Sequence, residues 1–155
     1  MTPLMLQDAL VEEIRNLFAE DRFKAPGDRM VPINVFSQSL PIQESDDDED
    51  PVPYIIVRLS KGIDPGTAES NNTVKLVVIV GLYDMDPNAQ GHRDLLHVIG
   101  TLYKRFQKKP CLAGKYVFTG AFEWAIQEDG YFPYYFGVAE MLFNIPAIRR
   151  EDEFS

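Results

Sequence analysis

A short acidic stretch with a nearby histidine is the pattern in this chain that most suggests metal chemistry. Asp84 and Asp86 are separated by one residue, and His92 follows six positions later. Carboxylate oxygens can hold Mg²⁺, so a small metal-dependent enzyme is one hypothesis. The alternative is structural, because an Asp-Pro pair after a strand is typical of a helix start. Since this alternative accounts for both carboxylates, we expect no metal, no cofactor and no catalytic residues here.

The other reactive side chains lack partners at the spacings that catalysis needs. His92 and His97 are five positions apart and do not share one helix face as paired metal ligands would. Cys111 is the lone cysteine, which excludes an internal disulfide and favours a packing role in a reducing compartment. Glu123 lies on the more polar side of a predicted strand, where we expect a solvent-exposed or intersubunit ion pair. The chain has no GxGxxG, phosphate-loop or GxSxG motif, so we predict that it is not an enzyme.

Two long strands near the end of the chain contain much of its aromatic surface. Between Tyr116 and Ile126 the even-numbered residues are mostly large and apolar, and the odd-numbered residues are mostly smaller or polar. Since successive strand residues point to opposite sides, this alternation buries one side, including Trp124. The Glu-Asp-Gly sequence at 128–130 predicts a hairpin turn. The segment 133–145 then returns as the partner strand.

Helical periodicity is present in two other segments. The first helix begins at Thr2-Pro3, where a hydroxyl can cap and proline needs no N–H partner. The second follows the break at 84–88 and ends at Pro110. Each helix has one apolar stripe that predicts packing on a sheet. The stripes are Leu6, Leu10, Ile14, Leu17 and Phe18 in the first helix, and Leu95, Ile99, Leu102 and Phe106 in the second.

Three further strands complete a single domain over 1–155. Segment 32–40 alternates weakly, 54–60 alternates clearly, and 73–83 is apolar on both sides, as in a central strand or one that meets another subunit. Segments 54–60 and 73–83 form a predicted hairpin. The resulting order, α-β-β-β-α-β-β, predicts an α+β fold: a mostly antiparallel sheet of about five strands with two helices on one face.

The net charge of −9 is concentrated in one run of six acids, without which the chain carries only −3. Like charges at this density repel, so we predict a mobile loop at 41–53, and a polar tail at 149–155. A binding module that holds a basic partner through this loop is a further hypothesis. The acidic residues are Glu44, Asp46, Asp47, Asp48, Glu49 and Asp50.

The charge and hydropathy patterns also narrow the range of partners. No basic stripe is present to bind nucleic acid through its phosphates. No apolar run reaches membrane-spanning length, and the first residues lack the basic start of a signal peptide. We therefore predict a soluble cytoplasmic protein with no membrane partner.

Five segments of the chain resemble tail terminator proteins of long-tailed bacteriophages. They are PYIIV at 53–57, VVIVG at 77–81, GHRDLL at 91–96, PYYFG at 133–137 and FNIP at 143–146. The likeness extends over nearly the whole chain in the order of elements and includes no catalytic signature. The acidic run has no counterpart in the family pattern.

This resemblance implies an assembly protein. Such a protein forms a ring, usually a hexamer, that caps the tail tube, stops its polymerisation and presents a surface to the neck proteins. DNA would pass through the lumen without specific binding. The protein would reside in the tail-neck region of the virion and, during assembly, in the host cytoplasm. Another neck component, for tail completion or head closure, is the alternative within the same particle.

A closed ring needs two different surfaces on each subunit, each contacting the other surface of a neighbour. Aromatic residues are enriched in such interfaces, and this chain has more of them than its predicted core requires. Packing within the monomer is the alternative role for the same residues. The candidate interface residues are Phe36, Tyr83, Tyr131, Phe132, Tyr134 and Phe136.

Overall fold

The chain folds into two helices and eight strands within residues 2–42, 51–67, 72–127 and 131–146, which are the residues that this computed structural model describes. The predicted order of elements is present, and three short strands are added to it. In chain order the elements are α1 (Thr2–Leu17), β1 (Phe23–Ala25), β2 (Arg29–Val31), β3 (Asn34–Ser37), β4 (Tyr54–Ile63), β5 (Asn72–Tyr83), α2 (His92–Lys108), β6 (Cys111–Leu112), β7 (Tyr116–Ile126) and β8 (Tyr134–Ile145).

Six strands form one mixed sheet in the order β3-β4-β5-β8-β7-β6, and β1 and β2 form a separate hairpin. β3 pairs with β4 in parallel, and the other neighbouring strands of the sheet are antiparallel. Parallel neighbours require a crossover connection, and the segment 38–53, which includes the acidic run, connects these two. The predicted α+β class with a mostly antiparallel sheet is confirmed, with six strands in the sheet in place of about five.

Both helices pack on the same side of the sheet and enclose the main core, as predicted. The α2 stripe from Leu95 to Phe106 is buried. Three rings at the centre of this core, Phe106, Phe118 and Phe143, have centroids 5.4 to 6.0 Å apart. We call this helix-covered side of the sheet the inner side and the opposite one the outer side.

The central strand β5 separates the two sides of the sheet. It lies between β4 and β8, and the predicted hairpin of β4 and β5 is confirmed. Its inner residues from Val74 to Leu82 are at most 3% exposed. On the outer side, Val77 and Ile79 are only partly buried. Both sides of β5 are therefore apolar, but one is covered more completely than the other.

Three predicted boundaries are wrong, and in one of them the strand predicted at 54–60 extends to Ile63. The first strand covers Asn34–Ser37 and not 32–40. The second helix begins at His92, after a turn that uses both nearby carboxylates: Asp84 Oδ1 accepts from the Asp86 N–H, and Asp86 Oδ1 accepts from the Asn88 N–H, each at 2.9 Å. These side chains stabilise consecutive turns, so they do not cap the helix.

Candidate assembly interface

Four of the six candidate interface residues lie together on the outer side of the sheet. Phe36, Tyr83, Tyr134 and Phe136 pack against a small second core. The Tyr83 and Tyr134 rings meet edge to face at 5.8 Å, and Tyr134 stacks on Phe136 at 6.4 Å with an angle of 19°. All four are partly buried. These four residues, which we call the outer cluster, therefore contact each other within the monomer and still present apolar surface. The buried members of this core are Val52, Tyr54 and Ile56.

Strand register explains why these rings are neighbours. Tyr83 pairs with Tyr134, and Gly81 lies between Tyr54 on one side and Phe136 on the other. A Cβ at Gly81 would lie 2.3 Å from the Tyr54 ring, so the ring lies directly over the glycine. This close approach allows the outer cluster to pack tightly on the strand.

The remaining two candidates, Tyr131 and Phe132, are more exposed, at 61% and 48%. They line a cavity of about 440 Å³ together with Tyr134, Phe136 and other residues. The cavity joins the outer cluster to the start of α2. The six residues are thus found in one region of the molecule, although only four of them form a packed group.

The outer side also has a shallow, open apolar area beyond the aromatic cluster. Val77 and Ile79 of β5, Val138 of β8 and Ala125 of β7 line it together with Phe136, and its volume is about 460 Å³. Both helices lie on the inner side, so neither helix covers this surface. We call these five residues the outer patch.

A second apolar surface, which the sequence patterns did not reveal, lies on the inner side between α2 and β7. Leu96, Gly100 and Tyr103 of α2 face Phe122 and Trp124 of β7 across a groove of about 400 Å³. The Tyr103 and Phe122 rings are 5.0 Å apart. We call these five residues the α2–β7 groove. Their spacing on the helix, i, i+4 and i+7, is a second apolar stripe that could have been recognised beside the main one.

The predicted direction of the Trp124 side chain is confirmed, but its predicted burial is wrong. The side chain is on the inner side, yet it is 50% exposed. From Phe118 to Phe122 β7 advances four residues while β8 advances two, and Gly120 in this bulge has a φ of 94°. The bulge bends the strand, and Gly100 has no side chain to cover the indole.

Charged residues border both surfaces. Glu123 is exposed on the outer side and pairs directly with Glu140 across β7 and β8. Glu140 forms an ion pair with Lys75 at 3.1 Å. On α2, Lys104 is exposed next to Tyr103. The outer patch thus has two glutamates on its β7–β8 side with Lys75 and Arg58 across from them, and Lys104 follows the groove residue Tyr103 on α2.

The residues of the hypothetical metal site line separate hollows. Asp84 and Asp86 face a hollow with Lys24, whereas His92 lines the aromatic cavity. Lys24 Nζ donates to Asp84 Oδ2 at 3.1 Å, and this hydrogen bond raises the pKa of Lys24. Within the described ranges, no three His, Cys, Asp or Glu side chains form a group that could hold a metal ion. Asp84 therefore has a lysine partner where the hypothesis required a metal.

Cys111 is exposed at the start of β6, so its predicted packing role is wrong. The acidic residues Glu44 to Asp50 and the tail at 149–155 lie outside the described residues. Neither described helix is long and apolar enough to cross a membrane.

The candidate interface thus consists of two apolar surfaces on opposite sides of one sheet, and charged residues lie at the border of each. This arrangement suits contacts with proteins. No protein-family model matches the chain, and no curated protein matches it.

Proposed function

We propose that this chain is a structural assembly protein, a phage tail terminator whose copies form a ring on the end of the tail tube. The observation that carries the proposal is the outer patch. It is a contiguous apolar surface on a sheet whose two helices both pack on the other side. Apolar surface left uncovered in a monomer commonly marks a protein contact.

A ring requires each subunit to present two different surfaces. A head-to-tail contact between unlike surfaces closes into a ring when the rotation between neighbours permits it. The outer patch and the α2–β7 groove are unlike surfaces on opposite sides of the sheet. Their placement is therefore compatible with a neighbour on each side, as a ring needs.

The electrostatic character of the chain suits a lumen for DNA. The formal net charge is −9, so phosphates are repelled overall and DNA would pass without adhering. The resemblance to tail terminators supplies the rest of the proposal: the ring binds the last layer of tube subunits, stops their addition and faces the neck.

Analytical ultracentrifugation and electron microscopy test this function. We expect closed rings, either alone or after the tail-tube protein of the same phage is added, and we expect tubes to stop growing when the chain is present. Ala125→Glu places a charge in the outer patch at an exposed position and should abolish rings. Ala19→Glu, at an exposed position after α1, is the matched control and should not.

Two results would contradict the proposal. One is a chain that remains monomeric at all concentrations, with and without tube protein. The other is a tube length distribution that the chain leaves unchanged. Rings that bind head proteins but not tube ends would assign the chain to another neck component.

A further inference from the structure

The α2–β7 groove has the features of a receptor for a flat apolar surface. Its aromatic residues are solvent-accessible in the monomer: Trp124 is 50% exposed and Tyr103 is 41% exposed. Apart from its chain neighbours and the nearby backbone of α2, no atom lies within 4 Å of where a Cβ at Gly100 would be, so the middle of the groove is open. Tryptophan and tyrosine side chains are frequent anchors of protein contacts. A partner can therefore contact both rings and the helix backbone between them.

Acidic and basic side chains surround the outer patch: Glu123 and Glu140 lie on β7 and β8, and Arg58 and Lys75 lie on β4 and β5. Glu123 and Glu140 are directly opposed on β7 and β8, and like charges in that position destabilise a sheet. Lys75 pairs with Glu140. No cation of the described chain pairs with Glu123. A cation from another molecule would relieve this repulsion.

Lys104 of α2 is a cation that can do so. It lies on the exposed side of α2, next to Tyr103 and one turn after Gly100. Within the described residues it has no ion-pair partner. Arg105, by contrast, is bound to Glu13 of α1. Lys104 thus lies within one turn of two groove residues on α2, and its charge can pair with a carboxylate of another molecule.

We infer that the occupant of the α2–β7 groove is a second copy of this chain, which seats its outer patch there with Glu123 against Lys104. The inference rests on the proposed ring and identifies the two surfaces that form it. Ala125 and Val138 of one copy contact Trp124 and Tyr103 of the next. The same contact repeats around the ring.

A ring needs this head-to-tail contact, because a symmetric contact between two like surfaces closes at a dimer. If two grooves met, Lys104 would face Lys104. The pairing of an outer patch with a groove also brings together two charges that have no ion-pair partner among the described residues, Glu123 of one copy and Lys104 of the next.

Charge reversal with native mass spectrometry or sedimentation velocity tests this contact. Glu123→Lys and Lys104→Glu should each weaken self-association about tenfold or more. The double variant should restore it to within about threefold. An equimolar mixture of the two single variants should also restore assembly, because the lysine introduced in one variant meets the glutamate introduced in the other. In such mixed rings the two variants alternate, so the number of subunits is even.

Matched controls place the same charge changes elsewhere. Glu20→Lys, after α1, and Lys115→Glu, in the turn before β7, are both at exposed positions and should leave assembly unchanged. Circular dichroism melts establish that each variant is folded. If a reversal prevents folding, Glu123→Gln and Lys104→Gln take its place, and each should weaken assembly by a smaller factor.

The outcomes separate this inference from the proposed function. Rings that form normally in every charge variant would overturn the contact but leave the ring proposal standing. Single variants that weaken assembly without rescue by the double variant or the mixture would overturn the pairing of Glu123 with Lys104. Wild-type chains that never form rings, even with tube protein, would overturn both.

Discussion

The two sides of the sheet have similar apolar content but different coverage. On the inner side, Phe106 and Phe143 are fully buried beneath the helices. On the outer side, Tyr134 and Phe136 stack on each other and remain partly exposed. The difference follows from the helices, which both cover the same side. Within the described residues no helix covers the outer side, and the following experiments test this contrast.

The largest expected effect belongs to the inner side. Phe143→Ala removes a ring that contacts both Phe106 and Phe118 and is 0% exposed, so the unfolding free energy should fall by about 3–5 kcal/mol. Phe136→Ala, in the same strand β8, should cost about 1 kcal/mol in the dilute monomer. Urea unfolding of both variants measures the contrast. Equal losses would show that the two sides are equally covered.

A smaller effect is expected where the outer cluster packs on the backbone. Gly81→Ala places a Cβ 2.3 Å from the Tyr54 ring, which is buried and must move. We expect a loss of about 1–3 kcal/mol from this overpacking. Gly100→Ala is the control: its Cβ meets open space within α2. That variant should gain about 1 kcal/mol, because alanine is the better helix former. Thermal unfolding that ranks the two variants the other way would contradict this packing.

Trp124→Ala distinguishes a monomer core residue from an interface residue. Because the indole is 50% exposed, its loss should cost the monomer only about 1 kcal/mol, well below the 3–5 kcal/mol of a buried ring. Self-association should weaken about tenfold or more. Chemical unfolding and sedimentation of the same variant measure the two effects. A large loss of monomer stability with unchanged association would return Trp124 to the core.

Sequence patterns predicted the directions of side chains well. The alternation in 116–126 places Tyr116 and Phe118 inward, and the periodicity of α2 places Leu95 to Phe106 in the core, because these patterns depend only on local geometry. The class of the fold followed from the order of these elements.

The same patterns could not predict which surfaces remain uncovered. Coverage depends on where distant elements lie, and both helices lie on the inner side. The exposure of Trp124 further depends on a bulge at Gly120 and on the absence of a side chain at Gly100. The interface residues were chosen for their aromatic type, and four of the six were brought together only by the register of β3, β4, β5 and β8.

The smallest effect concerns an ion pair that belongs to neither apolar surface. Lys24 is joined to Asp84, and the hydrogen bond between them raises the pKa of Lys24 above its ordinary value of 10.5. The charged form is thus favoured in the folded state. The pair's stabilisation is fully present below the pKa of the unfolded chain and is lost as pH rises through the higher pKa of the folded state.

Lys24→Met should therefore lower stability by about 1 kcal/mol or less at pH 8, because the lysine side chain is 46% exposed and water screens the pair. The difference from wild type should shrink when unfolding is repeated above pH 10.5. Lys61→Met, at an exposed position of β4, is the control for general effects of alkaline pH. A difference that persists undiminished at high pH would mean that Lys24 stabilises the fold through its aliphatic packing and not through its charge.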